Sequence, residues 1–173
     1  MAKLNFRGVT YTDQDQIKLV LGEYGIPFES WGVRKLNDDS AEGVLKAYLP
    51  DVERMKLDRG YVTEDVIALD PSTPNLDVLL AKFVDEHHHT DDEVRFVVAG
   101  AGVFEINVTA TERVVFTAEP GDLIVVPAWR RHLFYLTEEK SIRCIRLFKD
   151  KAGWEAHYPY AQIGSKERVL HFA

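Results

Sequence analysis

The sequence predicts a mainly β protein, a sandwich or barrel of short strands with helices packed outside it. Three observations predict this class. From residue 93 to 148, short runs rich in apolar and β-branched residues follow one another. Turn residues separate those runs at near-regular intervals: Gly100-Ala101-Gly102, Thr109 to Glu112, Pro120-Gly121-Asp122 and Thr137 to Lys140. Before Phe83 the apolar residues recur at helical spacing instead.

Taken in order, Ile17, Val20, Leu21 and Tyr24 form the first helical stripe, with Thr12 as N-cap, Gly25 as C-cap and Pro27 just beyond. Phe28 to Leu36 suits a strand. Val44, Leu45, Tyr48, Val52 and Met55 make a second stripe that stays in phase across Pro50, which predicts one kinked helix. Thr73-Pro74 is a good N-cap and N1 pair for a third, short helix with Leu76, Leu79, Leu80 and Phe83 on its apolar face. These stripes read as core packing, except that Phe83 lies four residues before His87 and reaches toward the candidate site. Strands are predicted at Glu93 to Ala99, Val103 to Val108, Arg113 to Thr117, Leu123 to Val126, Arg131 to Leu136 and Ile142 to Phe148. Gly153-Trp154 and Tyr158-Pro159-Tyr160 end the regular pattern. The expected organisation is one domain over 1–173: a helical part at 1–82, a barrel core at 83–150 and a C-terminal extension, a tail or lid, at 151–173.

Composition narrows the function. The chain has 173 residues, 46% hydrophobic and 28% charged, ordinary values for a soluble globular domain. Met1 to Arg7 has no apolar run and no stretch suits a membrane span, so a cytoplasmic location is expected. Cys144 is the single cysteine, which excludes an intrachain disulfide and a multi-thiolate zinc site. Set between apolar residues, it reads as a small buried hydrophobe. A net charge of −7 argues against nucleic acid or an anionic membrane as the main partner. An anionic substrate would therefore need local arginines.

The chemistry concentrates in Glu86-His87-His88-His89-Thr90-Asp91-Asp92-Glu93-Val94-Arg95-Phe96. Side chains alternate faces along a strand, so His87 and His89 project one way and His88 the other. Glu93 shares their parity. Two imidazoles and a carboxylate on one face suit a divalent ion such as Fe(II), Ni(II) or Mn(II). His132 is the candidate fourth ligand, because Leu133 to Leu136 continue a strand that can lie across a barrel. Four protein ligands leave two positions of an octahedral ion open for substrate or dioxygen, whereas a structural zinc site is closed and tetrahedral. The bland counterpart is a solvated histidine cluster at a strand end. His157 and His171 have no partners visible in the sequence.

These residues carry a family resemblance. His87-x-His89-x-x-x-Glu93, then six residues and Gly100, resembles the first cupin motif; Gly121, five residues, Pro127 and then His132 resemble the second. Ala81 and Trp129 stand where those motifs usually have glycine. A longer signature resembles the acireductone dioxygenases: Glu86-His87-x-His89-x-x-Asp92-Glu93-Val94-Arg95-Phe96, Gly121-Asp122-Leu123-Ile124, Val126-Pro127-Ala128, Arg143 to Phe148, and Gly153-Trp154. Upstream, Gly60-Tyr61 and Asn75 to Phe83 also fit. The likeness spans roughly residues 40 to 160.

The resemblance implies a cupin-type double-stranded β-helix (jelly-roll) barrel and a single Fe(II) or Ni(II) per chain on His87, His89, Glu93 and His132. It implies an acireductone substrate, bound as a dianion through two oxygens and cleaved by dioxygen, in a chain expected to act as a monomer. Iron is expected to yield formate and a keto acid, nickel to release carbon monoxide as well. Arg95, two residues past Glu93, matches the arginine that the family places near the substrate; the plainer reading is a salt bridge with a core carboxylate. Arg146 is a second such candidate. Phe83 and Phe134 are candidates for the wall around the methylthio tail, or simple core. Glu86 and Asp92 are candidates for orienting a ligand imidazole. Two other readings stay open: a different cupin enzyme, such as another dioxygenase or a sugar isomerase, and a non-catalytic cupin binding module. Against the last, the N-terminal helices lack a basic face.

Overall fold

The computed structural model describes residues 1–150, 153–159 and 169–172. The first part of the chain holds β1 (Lys3–Phe6), β2 (Val9–Tyr11), α1 (Gln14–Glu23), β3 (Phe28–Ser30), α2 (Ala41–Ala47), α3 (Leu49–Arg59), β4 (Thr63–Leu69) and α4 (Leu76–Val84). Then come β5 (Glu93–Gly100), β6 (Gly102–Asn107), β7 (Arg113–Ala118), β8 (Asp122–Val126), β9 (His132–Leu136) and β10 (Ile142–Phe148). A separate hairpin pairs β11 (Trp154–His157) with β12 (Val169–Phe172).

Two five-stranded antiparallel sheets run β2-β1-β7-β6-β9 and β3-β8-β5-β10-β4. They share one core, in which Phe104, Phe116 and Phe134 of the first meet Val97, Ile124 and Cys144 of the second. This is the mainly β jelly-roll architecture, with helices outside, that the cupin resemblance implies. The inner strands of the second sheet, β8, β5 and β10, are buried on both faces. Val94, Phe96 and Val98 of β5 pack with Val44, Tyr48, Val52 and Met55 of the helices. Phe96 lies between Trp31 and Tyr48, with each ring centroid 4.6 Å away; each such pair adds about 0.5–1.5 kcal/mol beyond burial. Alternation then sends Glu93, Arg95 and Val97 into the barrel. The site-bearing residues of β5 are thus held by the apolar residues between them.

Several expectations are corrected. The part before residue 83 holds more strand than the one expected at Phe28 to Leu36: besides β3 on β8, β1 pairs with β7 and β4 with β10, and they widen both sheets. The stripe across Pro50 forms two helices, not one kinked helix. They break at Tyr48, and Pro50 falls in the first turn of α3, where its missing N–H costs little. Helix α1 is capped by Asp13, whose side chain accepts from Gln16 N, rather than by Thr12. Helix α4 starts after Asn75, which is left-handed (φ 56°); Thr73 closes the preceding turn, its Oγ1 accepting from Asp70 N. The strand expected over Phe28 to Leu36 stops at Ser30, and Trp154 begins a strand instead of ending the pattern. Tyr160 and most of the expected tail or lid lie outside the described residues.

Candidate metal centre

His87 and His89 lie just before β5, where His87 bridges His132 and His88 bridges His157. The chain bends through Thr90 and Asp91 before β5 opens with Glu93. Four candidate ligands, His87, His89, Glu93 and His132, converge so that one donor atom from each lies within 4.8 Å of the others, and all four are buried.

Each of the three imidazoles has its Nδ1 against a backbone carbonyl. His87 Nδ1 is 2.8 Å from Asp85 O, His132 Nδ1 is 2.8 Å from Arg130 O, and His89 Nδ1 is 2.6 Å from Glu155 O. A carbonyl only accepts, so Nδ1 carries the proton and donates, and Nε2 is left with its lone pair. His89 Nε2 and His132 Nε2 each lie 2.9 Å from Glu93 Oε2. Lone-pair nitrogens that close to a carboxylate oxygen call for a cation between them. Two donors at right angles around an ion with bonds of about 2.1 Å lie about 3.0 Å apart, which these separations match. His87 Nε2 is buried and has no hydrogen-bond partner among the described residues. The donor set therefore fits one divalent ion.

Charge favours the same reading. Burial, reinforced by the neighbouring His132, pushes His87 down to about 3, so it stays neutral and available for a metal. Burial opposes ionisation of Glu93, but the adjoining Arg95 guanidinium outweighs it and holds the carboxyl well below its ordinary range.

Arg95, itself buried, donates Nε to Glu93 Oε1 at 2.6 Å. Its Nη1 faces Cys144 Sγ at 3.9 Å, and its Nη2 has no hydrogen-bond partner among the described residues. Burial opposes the Arg95 charge, but Glu93 more than offsets this, so the guanidinium stays cationic. Among the described residues, three rings surround it: Phe134 at 4.9 Å, Trp154 at 5.4 Å and Phe83 at 5.6 Å. Phe83 and Phe134 meet edge to face.

The other predicted residues are placed differently. Arg146 turns its fork to Asp65 of β4, giving Nε at 2.8 Å, so its contacts are structural. Glu86 has the parity of His88 and faces away from the ligands; it accepts from Arg113 and from Asn107 Nδ2 at 2.9 Å. Asp92 accepts from Ala128 N and Tyr61 Oη, each at 3.1 Å, and pairs with Lys149. It tethers the loop that leads to His132. The expected carboxylate partners of the imidazoles are thus replaced by carbonyls. His88 stacks on His157, with ring centroids 5.3 Å apart, and beside Trp129.

Reading the sequence missed Asp85, Arg130 and Glu155, whose carbonyls orient the ligands, and the part played by Trp154. A carbonyl leaves no trace in residue type; the Gly153-Trp154 pair was the one available signal. Trp129 is left-handed (φ 65°) within a turn closed by Arg130 N to Pro127 O, which is why glycine is usual there.

Comparison with known proteins agrees with this geometry. The model of a family described as ARD/ARD′ matches residues 23–156. An acireductone dioxygenase from Sulfurihydrogenibium sp. (strain YO3AOP1) is 44% identical over 170 residues, covering 91% of this chain and 94% of that protein. One from Exiguobacterium sibiricum is 39% identical, covering 86% and 88%. The solved structure of acireductone dioxygenase from Bacillus anthracis, with a cadmium ion in its active centre, superposes with a TM-score of 0.80 at 35% identity, covering 87% of this chain and 94% of that one.

Proposed function

This chain belongs to the ARD/ARD′ family of cupin-fold dioxygenases, and from that premise we propose that it cleaves a methylthio acireductone with dioxygen in methionine salvage. The observation that carries the reading is the pairing of a three-histidine, one-glutamate centre with a buried arginine whose Nη2 has no hydrogen-bond partner among the described residues. A divalent ion held by His87, His89, Glu93 and His132 supplies Lewis acidity that favours an enediolate over the neutral enediol.

The chain's own residues do the rest. Arg95 is bound to Glu93 through Nε, so its plane is set before substrate arrives. Its Nη2 donates to an enediolate oxygen and stabilises the charge that makes those carbons electron-rich. Because the guanidinium is desolvated, that interaction is stronger than it would be in water. Phe83 and Phe134 form the apolar wall for the methylthio tail. Burial of the ligands keeps bulk water from the reacting carbons. With Fe(II) the products are formate and the keto acid precursor of methionine. With Ni(II) they are methylthiopropionate, formate and carbon monoxide. In both outcomes the two oxygen atoms of dioxygen are retained in the products.

The test is oxygen uptake by metal-stripped protein reloaded with Fe(II) or Ni(II) and supplied with the methylthio acireductone, with products identified. The reading expects uptake with both metals and carbon monoxide from nickel alone. No uptake with either, in protein holding one metal per chain, overturns it.

A further inference from the structure

Gly102 opens β6 between Ala118 of β7 and Leu136 of β9. It is not among the residues with positive φ, so no backbone conformation demands glycine there. Space does. A methyl group on its Cα would lie 2.4 Å from Cε2 and 2.7 Å from Cζ of Phe134, and 3.1 Å from Cδ1 of Ile142. Phe104 is the direct cross-strand partner of Phe134, and Gly102 is its diagonal neighbour, within reach of an aromatic side chain. The Phe134 ring therefore occupies the volume that a side chain at 102 would fill.

That ring is otherwise confined. Phe104 lies 4.9 Å from it, Phe83 6.1 Å, and the Arg95 guanidinium 4.9 Å. A methyl at 102 has to displace the ring against these neighbours, Arg95 and Phe83 among them. We propose that Gly102 is a positioning residue: its bare Cα seats the Phe134 ring and thereby sets the room beside Arg95 for the tail of the substrate. The substrate named here rests on the acireductone reading; the steric coupling does not.

Two measurements on wild type, Gly102→Ala, Phe134→Leu and the double variant test this. The first is thermal unfolding of the metal-loaded proteins. Overpacking predicts that Gly102→Ala lowers Tm by on the order of 5 °C in the wild-type background. The loss should be less than half as large in the Phe134→Leu background, where the shorter side chain has no Cε or Cζ to strike. The second is steady-state kinetics with the methylthio acireductone and an analogue whose tail is cut to one methyl group. Gly102→Ala should lose about tenfold or more in kcat/KM on the long tail, mainly through KM, and about threefold or less on the short one, with Phe134→Leu restoring the difference. Equal Tm losses in both backgrounds, or equal kinetic losses on both substrates without rescue, overturn the proposal. If Gly102→Ala alone does not fold, a folded double variant supports the seat and an unfolded one refutes it. Wild type inactive on both substrates sinks the acireductone reading, and the unfolding cycle then decides the role of Gly102 alone.

Discussion

Arg95 binds Glu93 through Nε at 2.6 Å while Nη2 of the same guanidinium ends buried without a hydrogen-bond partner among the described residues. One arginine is thus anchored to the metal centre by one edge and offers the other. An anchored fork is worth more than a mobile cation because its orientation is set before substrate arrives. Arg95→Lys keeps a charge and loses the fork. It should retain a full complement of metal by mass spectrometry, while kcat/KM falls by about a hundredfold. Unchanged kinetics would remove Arg95 from the reaction.

Asp122 gives a pH prediction away from the site. Its side chain is buried and accepts from Glu119 N, and burial pushes its carboxyl up to about 6 from an ordinary 3.8. The folded state therefore holds the proton more tightly than the unfolded chain. Stability from this group is full below the unfolded value and is lost as pH rises from about 4 through about 6. Asn at this position keeps an acceptor for Glu119 N and cannot ionise. Relative to Asp122→Asn, the wild type should lose roughly 2–3 kcal/mol between pH 4 and pH 7 in urea unfolding. Parallel curves for the two proteins would show that Asp122 does not titrate in the fold.

Trp129 holds a left-handed backbone and is 65% exposed. Glycine adopts that conformation freely, whereas alanine bears the same Cβ penalty as tryptophan. Trp129→Gly should exceed Trp129→Ala in stability by about 1 kcal/mol, measured by urea unfolding. Equal stabilities would mean that the turn relaxes and stores no strain.

The barrel core is legible in the sequence because alternation and turn chemistry agree there. The run Ile142 to Phe148 coincides with β10, and Val103 to Val108 lies within one residue of β6 at each end. β4 was missed because it is an edge strand. Thr63-Glu64-Asp65 opens it with polar residues and it is only half-buried, so it carries no clear two-residue period. The break at Tyr48 was hidden because the apolar phase survives it: Val44 of α2, Tyr48 at the junction, and Val52 and Met55 of α3 all face the same cluster. At the site, parity alone put His87, His89 and Glu93 on one face, and the strand continuing at Leu133 to Leu136, together with the second motif, pointed to His132. Glu86 and Asp92 looked like partners for the imidazoles because carboxylates adjoin the motif. Folding instead brings up carbonyls, one of them from Glu155, 66 positions beyond His89. Such distant backbone contacts have no local signal. Arg146 shares its surroundings in sequence with Arg95, and only cross-strand pairing with Asp65 tells them apart.

The central claim is a metal held by three imidazoles and one carboxylate, without sulfur. X-ray absorption at the metal edge of the Fe(II)-loaded protein tests it most directly, with His89→Ala alongside. The prediction is a nitrogen and oxygen shell at about 2.1 Å, multiple scattering from three imidazole rings in the wild type, and loss of tight metal binding in the variant. A sulfur scatterer, fewer than three imidazoles, or a full metal complement in His89→Ala would contradict it.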